Sequence, residues 1–236
     1  MKRFYKLVST EKLADGYHIL LDGRAVKTKS GAHLCAPTEE IALLIMHEWS
    51  AQIDNILPDT MPFTQILNTK IDRVSRERTA MSAYVLKYID TDLICYFADE
   101  PQGMVEQQKD KWQVWIDWFE GEFGYTLQTT TGLAALTQEK GAHDAIAKYV
   151  AALNDDHFTI LQLVTSVSGS LILGLAMVKG AANAQQIFDA CFVEENFREA
   201  MYDAEKYGSD PALEKEQKSK MQDLKAAYDY ITNIGA

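Results

Sequence analysis

In the first part of the chain, short hydrophobic runs are separated by polar residues and glycines. Residues 17–21 and 24–28 have the composition of strands, and Asp22 and Gly23 between them predict a two-residue hairpin turn. Gly23 can adopt the positive φ angle that such a turn requires. Because a lone hairpin is only marginally stable in water, further strands are expected nearby. They are predicted at Phe4–Val8 and His33–Ala36. The pattern therefore predicts a small antiparallel β domain, residues 1–36.

After Pro37 the hydrophobic residues recur every three or four positions, which is typical of amphipathic helices. Glu39 and Glu40 suit the first turn of the first helix, and Pro58 ends that segment. Further helices are predicted at 62–74, 79–99, 104–123, 137–153, 157–178, 182–207 and 211–233, the last with Asp210 as its N-cap and Pro211 in its first turn. Residues 124–136, which contain three consecutive threonines, are predicted to form a long loop or a hinge.

The predicted fold class is α+β, with a small N-terminal antiparallel β domain followed by a larger all-helical domain, residues 37–236. Helices up to about residue 75 are expected to pack at the junction. The charge distribution supports two regions, because residues 1–80 have a net charge of +1 and residues 81–236 have a net charge of −12.

The stretch from His157 to Val178 contains no Asp, Glu, Lys or Arg and is long enough to span a bilayer. Gln162 and five hydroxyl residues lower its hydropathy, and Lys179 follows it alone rather than in a basic cluster. We therefore expect no membrane insertion. The stretch is better explained as a helix at the centre of the helical domain, buried on most sides.

The composition, 47% hydrophobic and 24% charged over 236 residues, is typical of a folded soluble protein. A formal net charge of −11 argues against nucleic-acid binding, which requires neutralisation of phosphates. Cys35, Cys95 and Cys191 form no CxxC pair, which indicates a reducing compartment rather than a disulfide framework or a cysteine-only zinc site. The first residues lack the apolar run of a secretion signal, so we expect a cytoplasmic protein.

Asp90 and Asp92 are the strongest candidates for catalytic residues, because paired aspartates hold magnesium in phosphoryl-transfer enzymes. Such a pair normally ends a buried strand, whereas these residues lie in a predicted helical region without a downstream lysine or acidic motif. A small phosphatase or hydrolase that uses the two aspartates is kept as the alternative function. The favoured interpretation is a hydrogen-bonding role at a helix surface or helix end.

Other motifs give no further sign of catalysis. His47 and Glu48 would begin the zinc-peptidase motif HExxH, but Ala51 stands where the second histidine is required. The remaining histidines lie far apart in the sequence, and single surface or capping roles are predicted for His18, His33, His143 and His157. The sequence has no phosphate-binding glycine loop and no nucleophile elbow. We expect no catalytic residue, no metal and no cofactor.

Two apolar stripes are the remaining candidates for function. The first has helical spacing and predicts the core of an amphipathic helix, or alternatively a partner-binding surface, since tryptophan is enriched in interface anchors. It consists of Trp112, Trp115, Ile116 and Phe119. The second is interrupted by glutamates, and it is either an acidic partner-binding face or a solvated surface. It consists of Phe192, Val193, Glu194, Glu195, Phe197, Glu199, Met201 and Tyr202.

A series of short motifs extends over most of the chain. The motifs are Arg3–Lys6, Leu21–Arg24 with Val26–Thr28, Leu34–Thr38, Glu48-Trp49 with Gln52, Met61-Pro62 with Thr64, Asn68-Thr69, Ile71–Arg73, Tyr88, Thr91–Leu93, Cys95-Tyr96, and Gln107 with Trp112. Each motif alone is weak, but their order and spacing are specific. Together they resemble the family of F-type ATP synthase assembly chaperones that bind the free alpha subunit, known in mitochondria and alphaproteobacteria.

The resemblance implies a small β domain followed by a larger helical domain, with no nucleotide or metal. It implies that the protein covers apolar surface of the unassembled alpha subunit, which the beta subunit later buries, and so prevents aggregation. The implied location is the bacterial cytoplasm, or the mitochondrial matrix for eukaryotic relatives. We expect the free protein to be monomeric.

The resemblance also implies a functional glutamate in a late helix. The matching segment is Val193–Phe197, and the role is carried to Glu194, with Glu195 as the alternative register. The predicted partner-binding residues are Glu194, Glu195, Phe197, Trp112 and Trp115. The chain departs from the family at Arg198, Tyr202 and Asp203, where a glutamine and a tryptophan-glycine pair are usual.

Five polar residues are expected to hold the β domain and the early helices together through paired hydrogen bonds. They are Asp22, Arg24, Asp72, Arg73 and Asp92. Arg24 suits a bidentate contact with a carboxylate, because its guanidinium presents two parallel N–H donors.

Overall fold

A computed structural model describes residues 1–201 and 211–235 of the protein. The N-terminal part forms a four-stranded antiparallel sheet in which one central strand pairs with the three others. The strands are β1 Val8–Leu13, β2 Gly16–Leu21, β3 Arg24–Ala25 and β4 Cys35–Ala36, with β2 at the centre. The predicted N-terminal sheet, which ends at residue 36, is confirmed.

The turn between β2 and β3 is the predicted one. Asp22 and Gly23 both have positive φ angles, +50° and +77°, as a type I′ turn requires. The predicted strand at Phe4–Val8 is wrong, because a second two-residue turn joins β1 and β2 and pairs Leu13 with Gly16. The first strand therefore lies further along the chain, at Val8–Leu13.

The rest of the described chain is helical. Its α-helices are α1 Glu39–Ser50, α2 Pro62–Thr69, α3 Ser75–Leu86, α4 Gln102–Phe123, α5 Lys140–Ala152, α6 Asp155–Ser168, α7 Leu171–Val178, α8 Ala184–Cys191, α9 Val193–Met201 and α10 Pro211–Asn233. A π-helix, Lys70–Val74, joins α2 to α3, and 3-10 helices span Pro58–Thr60, Lys87–Asp90 and Leu93–Cys95. The predicted loop at 124–136 contains no helix. Two predictions, the end of the 182–207 helix and the N-cap at Asp210, lie outside the described residues.

The predicted helix 157–178 is broken into α6 and α7. Gly169, with φ of +72°, ends α6, and the Ser170 side chain caps α7 by accepting a hydrogen bond from the backbone N–H of Leu173 at 3.0 Å. All eight residues of α7 are buried, in agreement with the expected central position. In the described part of the chain, no helix is both long and apolar enough to cross a membrane.

The chain forms two compact units. The first holds Met1–Thr79, Asn154–Ile160 and the residues from Ala226 onward, and in it α1 packs on the sheet and on α2. Within this unit, the Asp156 carboxylate pairs with Lys70 and accepts a hydrogen bond from the Tyr230 hydroxyl, both at 2.6 Å. The last strand ends at Ala36, but the first compact unit continues through α1 and α2 to Thr79, so the change of secondary structure is not the boundary between the units.

The second unit holds Ala80–Leu153 and the described part of Leu161–Lys225. Helix α4 is its main packing element, because it contacts α5, α7, α8 and α9. The apolar stripe of α4 is therefore surrounded by other helices on several sides.

Candidate functional site

Glu194, the second residue of α9, is held by α4. Its Oε1 atom accepts a hydrogen bond from Nε2 of Gln108 at 2.9 Å, and its Oε2 atom pairs with Arg198 at 3.0 Å. Gln108 is completely buried, and its own Oε1 atom accepts a hydrogen bond from the backbone N–H of Ala98 at 2.7 Å. The Glu194 side chain keeps 32% of its surface exposed. The buried side-chain amide of Gln108 thus holds the partly exposed Glu194 carboxylate in position.

The neighbouring predicted residues are only partly accessible. Glu195 and Phe197 are both half-buried. Phe197 packs against the start of α4, where a Cβ atom on Gly103 would lie 3.1 Å from its ring. The end of the second stripe at Tyr202 and the departure at Asp203 lie outside the described residues. Glu194, Glu195 and Phe197 therefore form a small, partly exposed group on α9.

Trp112 and Trp115 are not surface residues, and their assignment to a partner-binding surface is wrong. Their exposed fractions are 0% and 5%. The indole N–H of Trp112 donates a hydrogen bond to the backbone carbonyl of Ala190 at 2.7 Å, and its ring packs edge-on against Phe97. The alternative interpretation, a core stripe on α4, is the one that the structure supports.

Asp92 is a buried structural carboxylate. Its oxygens accept hydrogen bonds from the backbone N–H groups of Ile94 at 3.3 Å and Ile172 at 3.0 Å, so it caps both a 3-10 helix and the first turn of α7. Burial raises the pKa of Asp92 to about 6, and a hydrogen bond from Ser170 opposes this shift. The residue acts between helical segments rather than between the sheet and the early helices.

Asp72 performs the predicted linking role. Its carboxylate accepts hydrogen bonds from the hydroxyls of Thr28 and Ser30, which follow β3, while Asp72 itself lies in the π-helix. Partial burial acts to raise the pKa of Asp72, but the hydrogen bonds from Ser30 and Thr28 lower it below its usual value overall. The β domain and the early helices are joined at this point.

Asp22 acts within the β domain. It accepts hydrogen bonds from the backbone N–H groups of Leu7 at 2.8 Å and Lys6 at 3.0 Å, and these bonds lower its pKa. The N-terminal segment is thereby attached to the β2–β3 turn.

Arg24 and Arg73 do not perform the predicted linking role. Arg24 is exposed, and within the described residues its guanidinium makes no hydrogen bond or ion pair. Arg73 is also exposed, and in the part of the chain that the structure describes its one ion pair is with Glu77, at 3.8 Å. Within the described residues neither guanidinium makes a bidentate contact with a carboxylate.

Asp90 and Asp92 form no catalytic pair. The Asp90 carboxylate accepts a hydrogen bond from the backbone N–H of Gln138 at 2.8 Å and contacts the His143 ring at 3.0 Å. Asp92 is enclosed by backbone N–H donors, as described above. Each carboxylate is therefore used to hold segments of the second unit together.

Glu48 is a structural residue that the sequence reasoning missed. The Glu48 residue is buried, with 9% of its surface exposed. Its carboxylate accepts hydrogen bonds from the backbone N–H groups of Phe63 at 2.7 Å and Thr64 at 2.8 Å, and one from the Thr64 hydroxyl. It therefore caps the first turn of α2. Burial raises the pKa of Glu48 to about 7, against these hydrogen bonds. Glu48 lies in α1 but caps α2, and such a contact between two helices leaves no signal in the local periodicity of the sequence.

One cluster has the residue types of a metal site. Donor atoms of Asp15, His18 and Cys35 lie within 4.8 Å of one another. His18 also contacts the ring of His33, with centroids 5.2 Å apart, so these two histidines are not isolated as predicted. The His18 ring is hydrogen-bonded to the Asp15 carboxylate at 2.9 Å, and the Cys35 thiol contacts the Asp15 carbonyl at 3.3 Å. Hydrogen bonds therefore connect the three residues to one another.

Comparison with known proteins gives a consistent result. A family model described as ATP12 chaperone protein matches residues 2–120. The mitochondrial protein atp12 of Schizosaccharomyces pombe is 26% identical over 198 residues, which cover 78% of this chain and 68% of that protein. The crystal structure of Atp12 from Paracoccus denitrificans has a TM-score of 0.86 at 31% identity and covers 99% of this chain and 98% of that chain.

A structure from Agrobacterium tumefaciens has a TM-score of 0.87 at 29% identity and covers 98% of this chain and 85% of that chain. Because relatives of this similarity are named chaperones, the alternative of a phosphatase or hydrolase is wrong. The family model and the nearly complete structural match together show that this chain belongs to the ATP12 chaperone family.

Proposed function

We propose that this protein binds the unassembled alpha subunit of the F-type ATP synthase and shields the apolar surface that the beta subunit later buries. Membership of the ATP12 chaperone family, supported by a structural match over nearly the whole chain, is the observation that carries the proposal. Exposed subunit interfaces aggregate because large apolar patches associate non-specifically. Shielding such a patch until assembly requires binding but no catalysis.

The α9 surface is the proposed specificity site. Glu194 presents a carboxylate that Gln108 holds in place, and Glu195 and Phe197 lie beside it. A fixed carboxylate favours a partner that exposes an arginine or lysine, and discourages partners with a negative surface. We assign Glu194 the main role and Glu195 the alternative one.

The protein acts in the bacterial cytoplasm in this proposal, as a monomer when free, and its eukaryotic relatives act in the mitochondrial matrix. Its net charge of −11 supports the monomeric state, because like-charged copies repel each other.

Co-expression with the individual F1 subunits tests the proposal. A tagged alpha subunit is expected to co-purify with this protein as an equimolar complex in size-exclusion chromatography with light scattering. Adding purified beta subunit should dissolve that complex, whereas a tagged beta subunit alone should retain none of this protein. Recovery of free alpha subunit with no bound chaperone would refute the assignment of the partner.

A further inference from the structure

Three residues with metal-binding side chains meet at one end of the N-terminal sheet. Asp15 lies in the turn between β1 and β2, His18 in β2 and Cys35 in β4. Their donor atoms all lie within 4.8 Å of one another, and among the described residues this is the one group of three His, Cys, Asp or Glu side chains that does so. The group is separate from the α9 surface, which lies in the other compact unit.

Strand pairing brings two of these residues together. His18 and Cys35 are directly opposite each other where β2 pairs antiparallel with β4. Opposite residues of such a pair point to the same face of the sheet, with Cβ atoms about 4.5–5.5 Å apart. The separation of these residues along the sequence, which led us to expect no metal, is therefore removed by the fold.

The turn that carries Asp15 approaches β4 closely, because the next residue is a glycine. A Cβ atom at Gly16 would lie 2.7 Å from Sγ of Cys35 and 2.6 Å from the carbonyl oxygen of Ala36. The φ angle of Gly16, +136°, is also one that residues with side chains rarely adopt. Asp15 is thereby held beside both other residues, with its carbonyl oxygen 3.3 Å from Sγ of Cys35 and its Oδ1 atom 2.9 Å from Nε2 of His18.

The donor types and their separations suit zinc. Zinc in proteins is bound tetrahedrally by cysteine sulfur, histidine nitrogen and carboxylate oxygen, with bonds that place ligand atoms about 3.3–3.8 Å apart. The contact of 2.9 Å and the upper limit of 4.8 Å lie on either side of this range, so small side-chain rotations would bring the three atoms to it. Magnesium and calcium are disfavoured, because they prefer sites made of oxygen atoms alone.

His33 can supply a fourth donor. Its ring lies edge-on to that of His18, with centroids 5.2 Å apart. His33 is exposed, so its side chain is free to rotate towards the other three. Four protein ligands are typical of structural zinc sites. The Asp15 carboxylate and a Cys35 thiolate would together neutralise the two positive charges of the ion.

We propose that the N-terminal sheet carries a structural zinc site. Its ligands are Asp15, His18, Cys35 and His33. On binding, the Cys35 thiol releases its proton and its sulfur bonds to the ion, while His18 binds as the neutral imidazole through the nitrogen that contacts Asp15, with no change of oxidation state. Strand β4 is only two residues long and is followed closely by α1, so the ion would stabilise the connection between the sheet and the helices. Zinc binding here does not depend on the proposed function, because no client residue takes part.

Metal titration of the untagged, full-length protein tests the site. The protein is purified with a chelator, kept reduced with a phosphine, and titrated with zinc in competition with a chromophoric chelator. One zinc ion per chain should bind, and the melting temperature should rise with zinc, because a ligand of the folded state stabilises it. Cobalt(II) in place of zinc should show thiolate-to-cobalt charge-transfer absorption and the intense visible bands of tetrahedral coordination. Failure to bind zinc, or a cobalt spectrum without thiolate absorption, would overturn the inference.

Matched variants identify the ligands. Cys35→Ser and Asp15→Asn should weaken zinc binding by roughly 100-fold, since even a lost hydrogen bond to a metal ligand costs about 10–100-fold in affinity. Cys191→Ser and Asp54→Asn make the same changes at a half-buried cysteine and an exposed aspartate outside the group, and they should bind zinc like the parent protein. Parent-like zinc affinity of Cys35→Ser or of Asp15→Asn would contradict the assignment.

The fourth ligand is tested in the same titration. His33→Gln should also bind zinc more weakly than the parent, whereas His47→Gln, at an exposed histidine of α1, should not. Parent-like affinity of His33→Gln would rule out the site with four protein ligands. If a variant fails to fold, as judged by circular dichroism without zinc, the cobalt spectrum of the parent protein remains the deciding measurement.

Discussion

Burial and hydrogen bonding shift the pKa values of individual carboxyl groups of this protein in opposite directions. Asp22 and Asp72 accept hydrogen bonds near the surface and have lowered pKa values, whereas Asp92 is buried and its pKa is raised to about 6. An acid whose pKa is raised on folding binds its proton more tightly in the folded state. Its contribution to stability is therefore complete below the unfolded pKa and is lost as pH rises through about 6.

We predict a pH-dependent difference between the parent protein and Asp92→Asn. Between about pH 3 and pH 7, the unfolding free energy of the parent should fall by about 3 kcal/mol relative to the variant, which has no titrating group at this position. Urea unfolding at a series of pH values measures this difference. If the unfolding free energies of the two proteins changed in parallel with pH, the pKa of Asp92 would not be raised on folding.

Replacing Asp72 and replacing Arg24 by alanine should have different effects on stability, although the sequence predicted that both residues join the β domain to the early helices. Asp72→Ala leaves the Thr28 and Ser30 donors without their acceptor and should lower the unfolding free energy by about 1–3 kcal/mol. Arg24→Ala removes an exposed side chain and should change it by less than about 0.5 kcal/mol. Equal effects in denaturant titrations would contradict the assignment of Asp72 as the link.

Residue types predicted that Asp22, Asp72 and Asp92 accept structural hydrogen bonds, since acidic residues beside turns and helix starts commonly do so. Of the three, Asp72 joins the β domain to the early helices as predicted, whereas Asp22 acts within the β domain and Asp92 between helical segments. Residue types did not predict that Arg24 makes no ion pair within the described residues, because a motif does not say whether a partner lies within reach. The contact between His18 and His33 was missed for the same reason: fifteen positions apart in the sequence, they are brought together by strand pairing around β2.

At the scale of elements, two glycines within helices should respond oppositely to the same substitution. Gly121 in α4 has no neighbouring atom within 4 Å of an added Cβ, so Gly121→Ala should raise stability by up to about 1 kcal/mol through helix propensity. At Gly174 in α7 an added Cβ would lie 2.8 Å from the Thr165 hydroxyl. Gly174→Ala should therefore destabilise the protein by about 1–3 kcal/mol.

Thermal unfolding of the two variants provides the check. A rise in melting temperature for Gly174→Ala would mean that α6 and α7 are not packed as closely as the structure shows. The Gly121→Ala variant is the internal control for the general benefit of removing a helical glycine.

Helices were easier to predict than their ends. The periodicity of α4 and α5 is strong, and their bounds agree closely with prediction. The break at Gly169 was missed, because a continuous apolar run does not reveal a backbone with positive φ. Strand β1 was misplaced, since its second half is exposed and polar and the turn at Ala14 and Asp15 controls its register.

For the whole molecule, the function of the two α9 glutamates is tested with a different substitution at each position, because Glu194 also accepts a hydrogen bond from a buried residue. Glu194→Lys would leave the buried Gln108 amide without its acceptor, so a loss of function in that variant would also reflect a loss of stability. Glu194→Gln keeps an acceptor oxygen while removing the charge. We predict a melting temperature within a few degrees of the parent for Glu194→Gln and weaker binding of alpha subunit.

Glu195→Lys is the companion variant, and it distinguishes the two possible registers. If Glu194 is the specificity residue, Glu195→Lys should bind the subunit nearly as well as the parent protein does. Stronger loss of binding in Glu195→Lys than in Glu194→Gln would transfer the role to Glu195. Unchanged binding in both would remove α9 from the proposed contact surface.

In the proposed function, this member of the ATP12 chaperone family keeps the free alpha subunit from aggregating. This role is tested most directly by diluting denatured alpha subunit into buffer and following light scattering with and without an equimolar amount of the protein. We expect the parent protein to suppress scattering and to leave the alpha subunit in a defined complex, whereas equimolar serum albumin should do neither. Scattering equal to that of the albumin control would contradict it.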